Sequence, residues 1–261
     1  MRTTLVRRTV LTASAVSLAL LATACGAGKA DTKADAKPEP RPSAPSSAAP
    51  AAKGKTDSEL SALLVTQADV PDHVEAKDVA KKASEDQGNA GTVDKPECKA
   101  LVDAYTQRKI GTPTGTALTA LAAKPKELGP NATEEEKAAA IMGALTTTTT
   151  VTGLTSYDGK GAEEMVASVK AAGTACPAGF SVTAGSDVTK FDSVKPGQSA
   201  SVGDEAVSLV LTMDLEDGDK GTILLNVVRK ANTVATFSSI SFGGKTEFPK
   251  TLIGAQAKKL G

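Results

Sequence analysis

The sequence predicts an α+β domain in which a C-terminal meander of three antiparallel strands follows a region of separate helices. Large apolar residues occupy every second position between 207 and 215, which is the period of a strand with one buried face. Short turn sequences at 217–221 and 231–232 separate this segment from TILLNVVRK and TVATFSSISF. Because the helical patterns lie outside this run of strands, we expect one antiparallel sheet with the helices packed on one face.

Residues 1–24 have the three parts of an export signal. Arg2, Arg7 and Arg8 form a basic start without acidic residues, and an apolar run follows over 10–21. That run of about a dozen residues is shorter than the roughly 20 residues of a membrane-spanning helix. Since Arg7 and Arg8 also resemble a weak twin-arginine signal, the sequence is compatible with that route or with general secretion.

The end of this leader, LATAC (21–25), resembles the lipobox of bacterial lipoproteins. The resemblance implies that Cys25 receives a diacylglyceryl group and becomes the first residue of the mature chain; Ala22, where leucine is commonest, is a permitted variant. We therefore predict acylation of Cys25, with palmitate as a label, and a lipid anchor on the extracytoplasmic face of the cell membrane. More than one acyl chain makes such an anchor stable. The alternative is a chance cysteine after an ordinary cleavage site.

Residues 25–56 predict a disordered tether between the lipid and a globular domain at 57–261. The segment is rich in Ala, Pro, Lys and Ser, and no Val, Ile, Leu or aromatic residue occurs between 26 and 56. Such a composition buries too little apolar surface to offset the entropy of ordering. Fully extended, the tether reaches roughly 100 Å.

The sequence predicts two helices in the first part of the domain. Asp57 is the expected cap of the first, and Val74 and Val79 are expected in a short strand after it. The polar segment 81–94 is predicted to be a loop. A second helix is predicted over Pro96–Arg108, with proline in its first turn.

In the middle of the chain, the sequence predicts a helix, a strand and a second helix. Thr133 and Glu136 form a capping box that opens a short helix ending near Met142. The β-branched run 145–157 predicts a strand, and GTPTGTAL (111–118) predicts turns. A helix starting at Asp158 or Gly159 is expected to end at Cys176, before Pro177, and its inward face is expected to consist of Met165, Val166, Val169 and Ala172. A final helix is expected from Pro249, with Leu252, Ile253 and Leu260 buried.

The cysteines and charges agree with an exported protein. With Cys25 acylated, Cys98 and Cys176 remain as an even pair, which predicts one disulfide. Two cysteines and a single histidine fall short of a tetrahedral metal site, so we expect no metal or cofactor. The 30 basic and 30 acidic residues give no excess of positive charge, and no nucleic-acid partner is expected.

Several short segments resemble a group of actinobacterial surface lipoproteins. They are LLVTQADVP (63–71), PECKAL (96–101), ACPAGF (175–180), VGDEAV (202–207) and NVVRKANTVATF (226–237). That group is similar in turn to the extracellular sensor domain of a mycobacterial receptor Ser/Thr kinase. The resemblance implies a disulfide-linked α+β domain with a cleft and no established enzymatic activity. The sensor domain has two disulfides, whereas this chain can form one, and we transfer no ligand-binding residues from it.

Few residues suggest catalysis or metal binding. His73 lies among Asp69, Asp72 and Glu75 and could act as a general base, but no nucleophile motif accompanies it, and a surface histidine in a turn explains it better. The spacing in DLEDGDKG (214–221) does not match a calcium loop, which favours an acidic hairpin turn. No phosphate-binding loop motif is present.

An apolar cavity is the remaining candidate site. Its lining would come from six residues that could equally fill the core: Val102, Met165, Leu209, Leu211, Met213 and Phe237. Two classes of function follow. The first is a non-catalytic, sensor-like module that binds a small molecule, a lipid, a glycan or another component of the cell envelope; the second is an exported hydrolase or other enzyme.

Overall fold

The computed structural model describes residues 53–88, 91–124, 128–215, 218–241 and 245–261. Within these ranges the helices are α1 (Asp57–Leu63), α2 (Lys77–Glu85), α3 (Lys99–Tyr105), α4 (Glu134–Leu145), α5 (Gly161–Ala175) and α6 (Lys250–Leu260). The strands are β1 (His73–Glu75), β2 (Thr92–Val93), β3 (Gly115–Ala123), β4 (Thr149–Ser156), β5 (Phe180–Ala184), β6 (Asp187–Pro196), β7 (Glu205–Leu215), β8 (Asp219–Lys230) and β9 (Thr233–Ile240). The leader, Cys25 and the tether up to residue 52 lie outside the described residues.

The nine strands form one antiparallel sheet in the order β1-β3-β4-β9-β8-β7-β6-β5-β2. The predicted meander is confirmed as β7, β8 and β9, in which Leu211 pairs with Ile223 and Ile223 pairs with Ile240. The predicted α+β class is therefore confirmed. None of the helices in the described ranges combines the length and the apolar character needed to cross a bilayer.

Helices cover both faces of the sheet, which corrects the expectation of one covered face. On β8, Leu225 and Val227 belong to a core cluster with α3 and α5, whereas Val228 belongs to a second cluster with α1 and α6. Successive residues of a strand point to opposite faces, so these two clusters lie on opposite sides of the sheet. The physical reason is that β8 and β9 carry apolar residues at both odd and even positions. Both faces of the sheet are therefore apolar and must be covered by helices.

Several predicted boundaries were wrong. β3 begins at Gly115, inside the segment predicted as turns, and pairs with β1 and β4. α2 occupies part of the predicted loop 81–94, and Val79 lies on this helix rather than in a strand. No residue of α2 is buried, and its half-buried face consists of the small residues Ala80 and Ala83, which are a weak apolar signal in a polar sequence. The run predicted as a strand from 145 continues α4 to Leu145 and becomes a strand only at Thr149.

The last residues of the predicted tether are part of the folded domain. The side chain of Asn232 donates to the carbonyl oxygen of Lys53 (2.5 Å), and the amide of Gly54 donates to Asp158 Oδ1 (2.7 Å). A Cβ on Gly54 would lie 2.0 Å from Thr114 Oγ1, so only glycine fits this approach. The chain thus enters the domain where β4 ends and β9 begins, and the domain starts at residue 53 or earlier, not at 57.

The cap of α1 also differs from the prediction. Thr56 and Glu59 form a capping box, in which the Thr56 amide donates to Glu59 Oε2 (2.8 Å) and the Glu59 amide donates to Thr56 Oγ1 (3.4 Å). The hydrogen bonds that Glu59 Oε2 accepts from the amide and the hydroxyl of Thr56 lower the pKa of Glu59. Asp57, the expected cap, instead accepts a hydrogen bond from the amide of Thr116 on β3 (2.6 Å). The carboxylate of Asp57 therefore ties the first helix to the sheet.

Candidate functional site

A groove runs along α5 on the surface of the domain, and we call it the α5 groove. One cavity of about 440 Å³ lies at the start of α5 and a second of about 450 Å³ lies along its later turns. Ile110 and Ser168 line both cavities, so the two lie next to each other along the helix. The opposite wall is formed by the start of α3 and by the segment 110–114. A helix of the length of α5 spans about 22 Å, which suits an elongated ligand.

The two walls of the groove are joined by the predicted disulfide. Cys98 and Cys176 are bonded, with their Cα atoms 6.0 Å apart, and both are buried. Cys98 immediately precedes α3 and Cys176 immediately follows α5. The disulfide prediction is thus confirmed, and the bond fixes the spacing of the two helices at one end of the groove.

The inner face of α5 holds the helix against the sheet. The face consists of five buried residues in the first core cluster: Ala162, Met165, Val166, Val169 and Ala172. Because this face was predicted from its helical spacing, the sequence located the helix correctly. The groove lies beside this packed face and is open to solvent on its other side, where Ser168 and Ala171 are exposed.

The end of the groove near the start of α5 is polar. The hydroxyl of Tyr157 donates to the carbonyl oxygen of Ile110 (2.9 Å), which holds the segment 110–114 over the helix. Burial raises the pKa of Tyr157, so its phenol stays protonated and remains a donor at neutral pH. Lys160, Glu164 and the hydroxyl-bearing Thr112 complete this end. It can hydrogen-bond to a polar group of a ligand.

The other end of the groove has a small apolar floor with charged residues at its edge. The floor residues are Ala100, Ala171, Ala172 and Ala175. At the edge, Lys99 donates to the carboxylate of Asp103, a residue that is 6% exposed, and Arg108 Nε lies 3.9 Å from Asp103 Oδ1. The carboxylate is therefore held by two cations. The groove as a whole is amphipathic along its length.

The structure separates the six residues predicted to line a cavity. Val102, Leu211 and Met213 are buried within the first core cluster, and Met165, in the same cluster, also lines the α5 groove. Phe237 belongs to the second cluster, on the opposite face of the sheet, so it shares no cavity with the others.

Leu209 lines a different cavity from the α5 groove. This cavity has a volume of about 400 Å³ and is bordered by Phe248 and Asn226. Asn226 is buried and accepts a hydrogen bond from the hydroxyl of Ser208 (2.7 Å). The six residues therefore do not form one site.

The residues considered for catalysis lie away from the groove. His73 is on β1, not in a surface turn, and its side chain is only 14% exposed. Its Nδ1 lies 3.0 Å from Asp72 Oδ1, and this hydrogen bond lowers the pKa of Asp72. Within the described ranges, no group of three or more His, Cys, Asp or Glu side chains is placed to hold a metal ion.

The acidic hairpin at 214–221 forms ion pairs. Lys220 Nζ lies 2.7 Å from Asp192 Oδ2 and 3.0 Å from Asp214 Oδ1. These hydrogen bonds raise the pKa of Lys220 and lower that of Asp192. The carboxylates are therefore paired with a cation of the chain itself, as expected of a hairpin turn rather than a calcium loop.

Sequence reasoning missed most of the groove residues because they come from three separate segments, 96–103, 110–114 and 157–175. Thr112 lies in the segment 111–118 that was predicted to form turns, and Ile110 directly precedes that segment. Tyr157 and Lys160 follow a strand in the short sequence YDGKG. Gly161 was a usable signal, since a Cβ there would lie 2.9 Å from the Tyr157 ring. A glycine in the first turn of a helix otherwise lowers helix stability.

Comparison with known proteins gives one relevant structure. The extracellular domain of PknH from Mycobacterium tuberculosis matches with a TM-score of 0.43 and 14% sequence identity, over 80% of this chain and 96% of that chain. No protein-family model matches the sequence, and no curated protein matches it. At this level of similarity, no function is transferred.

Proposed function

We propose that this chain is a lipid-anchored, extracytoplasmic binding module that holds a ligand in the α5 groove without transforming it. The observation that carries the proposal is a groove with one polar and one apolar end whose two walls are joined by a disulfide. A disulfide in a domain of this size is typical of exported proteins. The lipobox-like sequence at Cys25 supports anchorage at the outer face of the membrane.

The chemistry of the lining favours binding over catalysis. Neither histidine nor a free thiol lines the two described cavities. The hydroxyl of Ser168 donates to the backbone carbonyl oxygen of Glu164 (2.8 Å) and so lacks the adjacent base that activates a nucleophile. A hydrolase that uses a serine nucleophile would need such a pair in its main groove.

The shape of the groove narrows the class of ligand. An elongated amphipathic molecule, such as a lipid or a glycolipid of the envelope, can place its apolar part over Ala171 and Ala175 and its polar part near Tyr157 and Lys160. Each apolar contact gains free energy in proportion to the area removed from water, about 25 cal/mol per Å². The polar end then fixes the direction in which the ligand lies.

Anchorage is tested by replacing the acylated cysteine. In cells fed radiolabelled palmitate, we expect the wild-type chain to carry label and to sediment with membranes. Cys25→Ser is expected to lose the label completely and to move to the soluble exported fraction, because one missing thiol removes the site of acylation. Cys98→Ser, which leaves Cys25 in place, is the control and should retain the label. An unlabelled wild-type chain, or one found in the cytosol, would refute the anchor.

Ligand binding is tested by filling the groove where its two cavities meet. Ser168→Trp places an indole at this junction and is expected to lower ligand occupancy by about tenfold or more, since a ligand spanning both cavities must displace it. Occupancy is measured by native mass spectrometry of the full-length chain after incubation with an extract of envelope lipids and glycans.

Ala167→Trp is the matched control for the groove. Ala167 is the preceding exposed residue of α5 and lines neither cavity, so this variant should keep wild-type occupancy. Equal occupancy in the two variants, or no retained species in the wild-type chain, would contradict the assignment of the groove.

A further inference from the structure

Helix α4 is built as a protruding element rather than as part of the core. It lies in the connection between the end of β3 and the start of β4. All its described side chains are exposed except that of Ala140, which is half-buried. Ile141 and Met142 are 64% and 60% exposed, which is unusual for large apolar side chains on a helix of an exported domain.

Local hydrogen bonds stabilise both ends of α4. At its start, the Thr133 amide donates to Glu136 Oε2 (2.8 Å) and the Glu136 amide donates to Thr133 Oγ1 (3.2 Å), which confirms the predicted capping box. At its end, the hydroxyls of Thr146 and Thr147 donate to the carbonyl oxygens of Met142 (3.1 Å) and Gly143 (2.9 Å). Helices of about twelve residues are marginal without packing, so caps at both ends stabilise α4, whose described side chains include no buried residue.

Helix α4 follows the end of β3 that is farther from Lys55. β3 begins at Gly115, where an added Cβ would lie 2.5 Å from the carbonyl oxygen of Lys55, and it ends at Ala123. The connection that carries α4 follows Ala123, so this connection and Lys55 lie at opposite ends of the same strand. A nine-residue strand separates those ends by about 30 Å.

The charges on α4 determine which kind of surface can bind this helix. Glu134, Glu135 and Glu136 form its first turn, against one lysine, Lys137, whose Nζ lies 2.6 Å from Glu134 Oε1. Helices that lie on anionic membranes carry lysine and arginine on their polar face, so this helix is a poor match for a lipid surface. A second copy of the chain would bring the same acidic turn. A partner with basic side chains is complementary.

We propose that α4 is a docking helix for another protein, which binds Ile141 and Met142 in an apolar groove bordered by lysine or arginine. Recognition of this kind places the apolar side chains of one helix in a groove of the partner. The small side chains of Ala138 and Ala139 allow the partner's backbone to approach closely. This surface is separate from the α5 groove.

The first experiment identifies what contacts α4 in the intact envelope. The photoreactive residue p-benzoylphenylalanine is incorporated in the full-length chain at Ala138 and, as a control, at Lys81 on α2, and adducts are identified by mass spectrometry. We expect one protein adduct from position 138 that is absent from position 81. An adduct of the chain with itself, lipid adducts alone, the same adducts at both positions, or no adduct would overturn the proposal.

The second experiment measures binding of the identified protein to the purified full-length chain. Ile141→Asp combined with Met142→Asp is expected to weaken Kd by about tenfold or more, because both anchors become charged. Replacing the three glutamates with glutamine should weaken Kd several-fold and reduce its dependence on salt. Val79→Asp, an exposed apolar residue of α2, is the matched control and should bind normally.

The measured affinities can be compared only if the variants are folded. Because all the changed residues are exposed, we expect unfolding temperatures equal to that of the wild-type chain. Unchanged affinity in folded Ile141→Asp/Met142→Asp would overturn the proposal. Flotation with phosphatidylglycerol vesicles that is lost in the same variant would instead assign α4 to a lipid surface and would likewise overturn it.

Discussion

Removal of the disulfide between Cys98 and Cys176 is expected to lower the free energy of unfolding by about 4–5 kcal/mol. The bond joins residues 78 positions apart, so in its absence the unfolded chain gains the entropy of a long open loop. This loss is comparable to the whole net stability of many domains. The variant Cys98→Ala/Cys176→Ala should therefore unfold roughly 10–18 °C below the wild-type chain.

The measurement is urea unfolding of the two proteins with and without a reductant. Reductant should destabilise the wild-type chain to the level of the double variant and should leave the double variant unchanged. Since the same bond joins the walls of the α5 groove, ligand occupancy in the groove should fall as well. A wild-type chain whose unfolding is insensitive to full reduction would contradict the predicted stabilisation.

Replacement of Gln256 is expected to cost about 3–5 kcal/mol, the second-largest effect of a single site. Gln256 lies on α6 and is completely buried. Its Oε1 accepts from the amide of Val65 (2.8 Å), and its Nε2 donates to the carbonyl oxygen of Leu63 (2.8 Å). Gln256→Ala leaves these two backbone groups without their partner at the end of α1, and each buried, unpaired group costs about 1–3 kcal/mol.

Other contacts of α6 do not involve Gln256, so the loss of stability is confined to this position. Lys259, also on α6, lies 3.0 Å from Asp69 Oδ2. The backbone amide of Thr66, followed by Lys259, lowers the pKa of Asp69 to about 2. These contacts persist in Gln256→Ala, so the domain should remain folded and measurably less stable in thermal unfolding. Lys258→Ala, an exposed change on the same helix, should stay within about 0.5 kcal/mol of wild type. A Gln256→Ala chain as stable as Lys258→Ala would show that the hydrogen bonds of Gln256 contribute little.

The sequence located those elements whose apolar residues repeat regularly. The β7–β9 meander and α5 were predicted because Leu209, Leu211 and Met213 alternate and Met165, Val166 and Val169 follow a helical spacing. β3 was missed because glycine, threonine and alanine dominate GTALTALAA and conceal its alternation. α2 was missed because it buries no residue.

Polar residues with structural roles were the least predictable part of the structure. Gln256 has no local signal, since glutamine in an amphipathic helix is ordinarily exposed. The α5 groove depends on the approach of Ile110 to Tyr157, which are 47 positions apart. Contacts of this kind are set by tertiary packing and not by local propensity. The disulfide was predictable because the predicted acylation of Cys25 left one pair of cysteines, Cys98 and Cys176.

The two outermost strands of the sheet are very short. β1 has three residues and β2 has two, although the strands inside them reach twelve. Long unpaired edges allow sheets of neighbouring molecules to join, and brief edges offer few backbone groups for such joining. Copies of the domain at high concentration collide frequently, and these short edge strands would limit their association through the sheet.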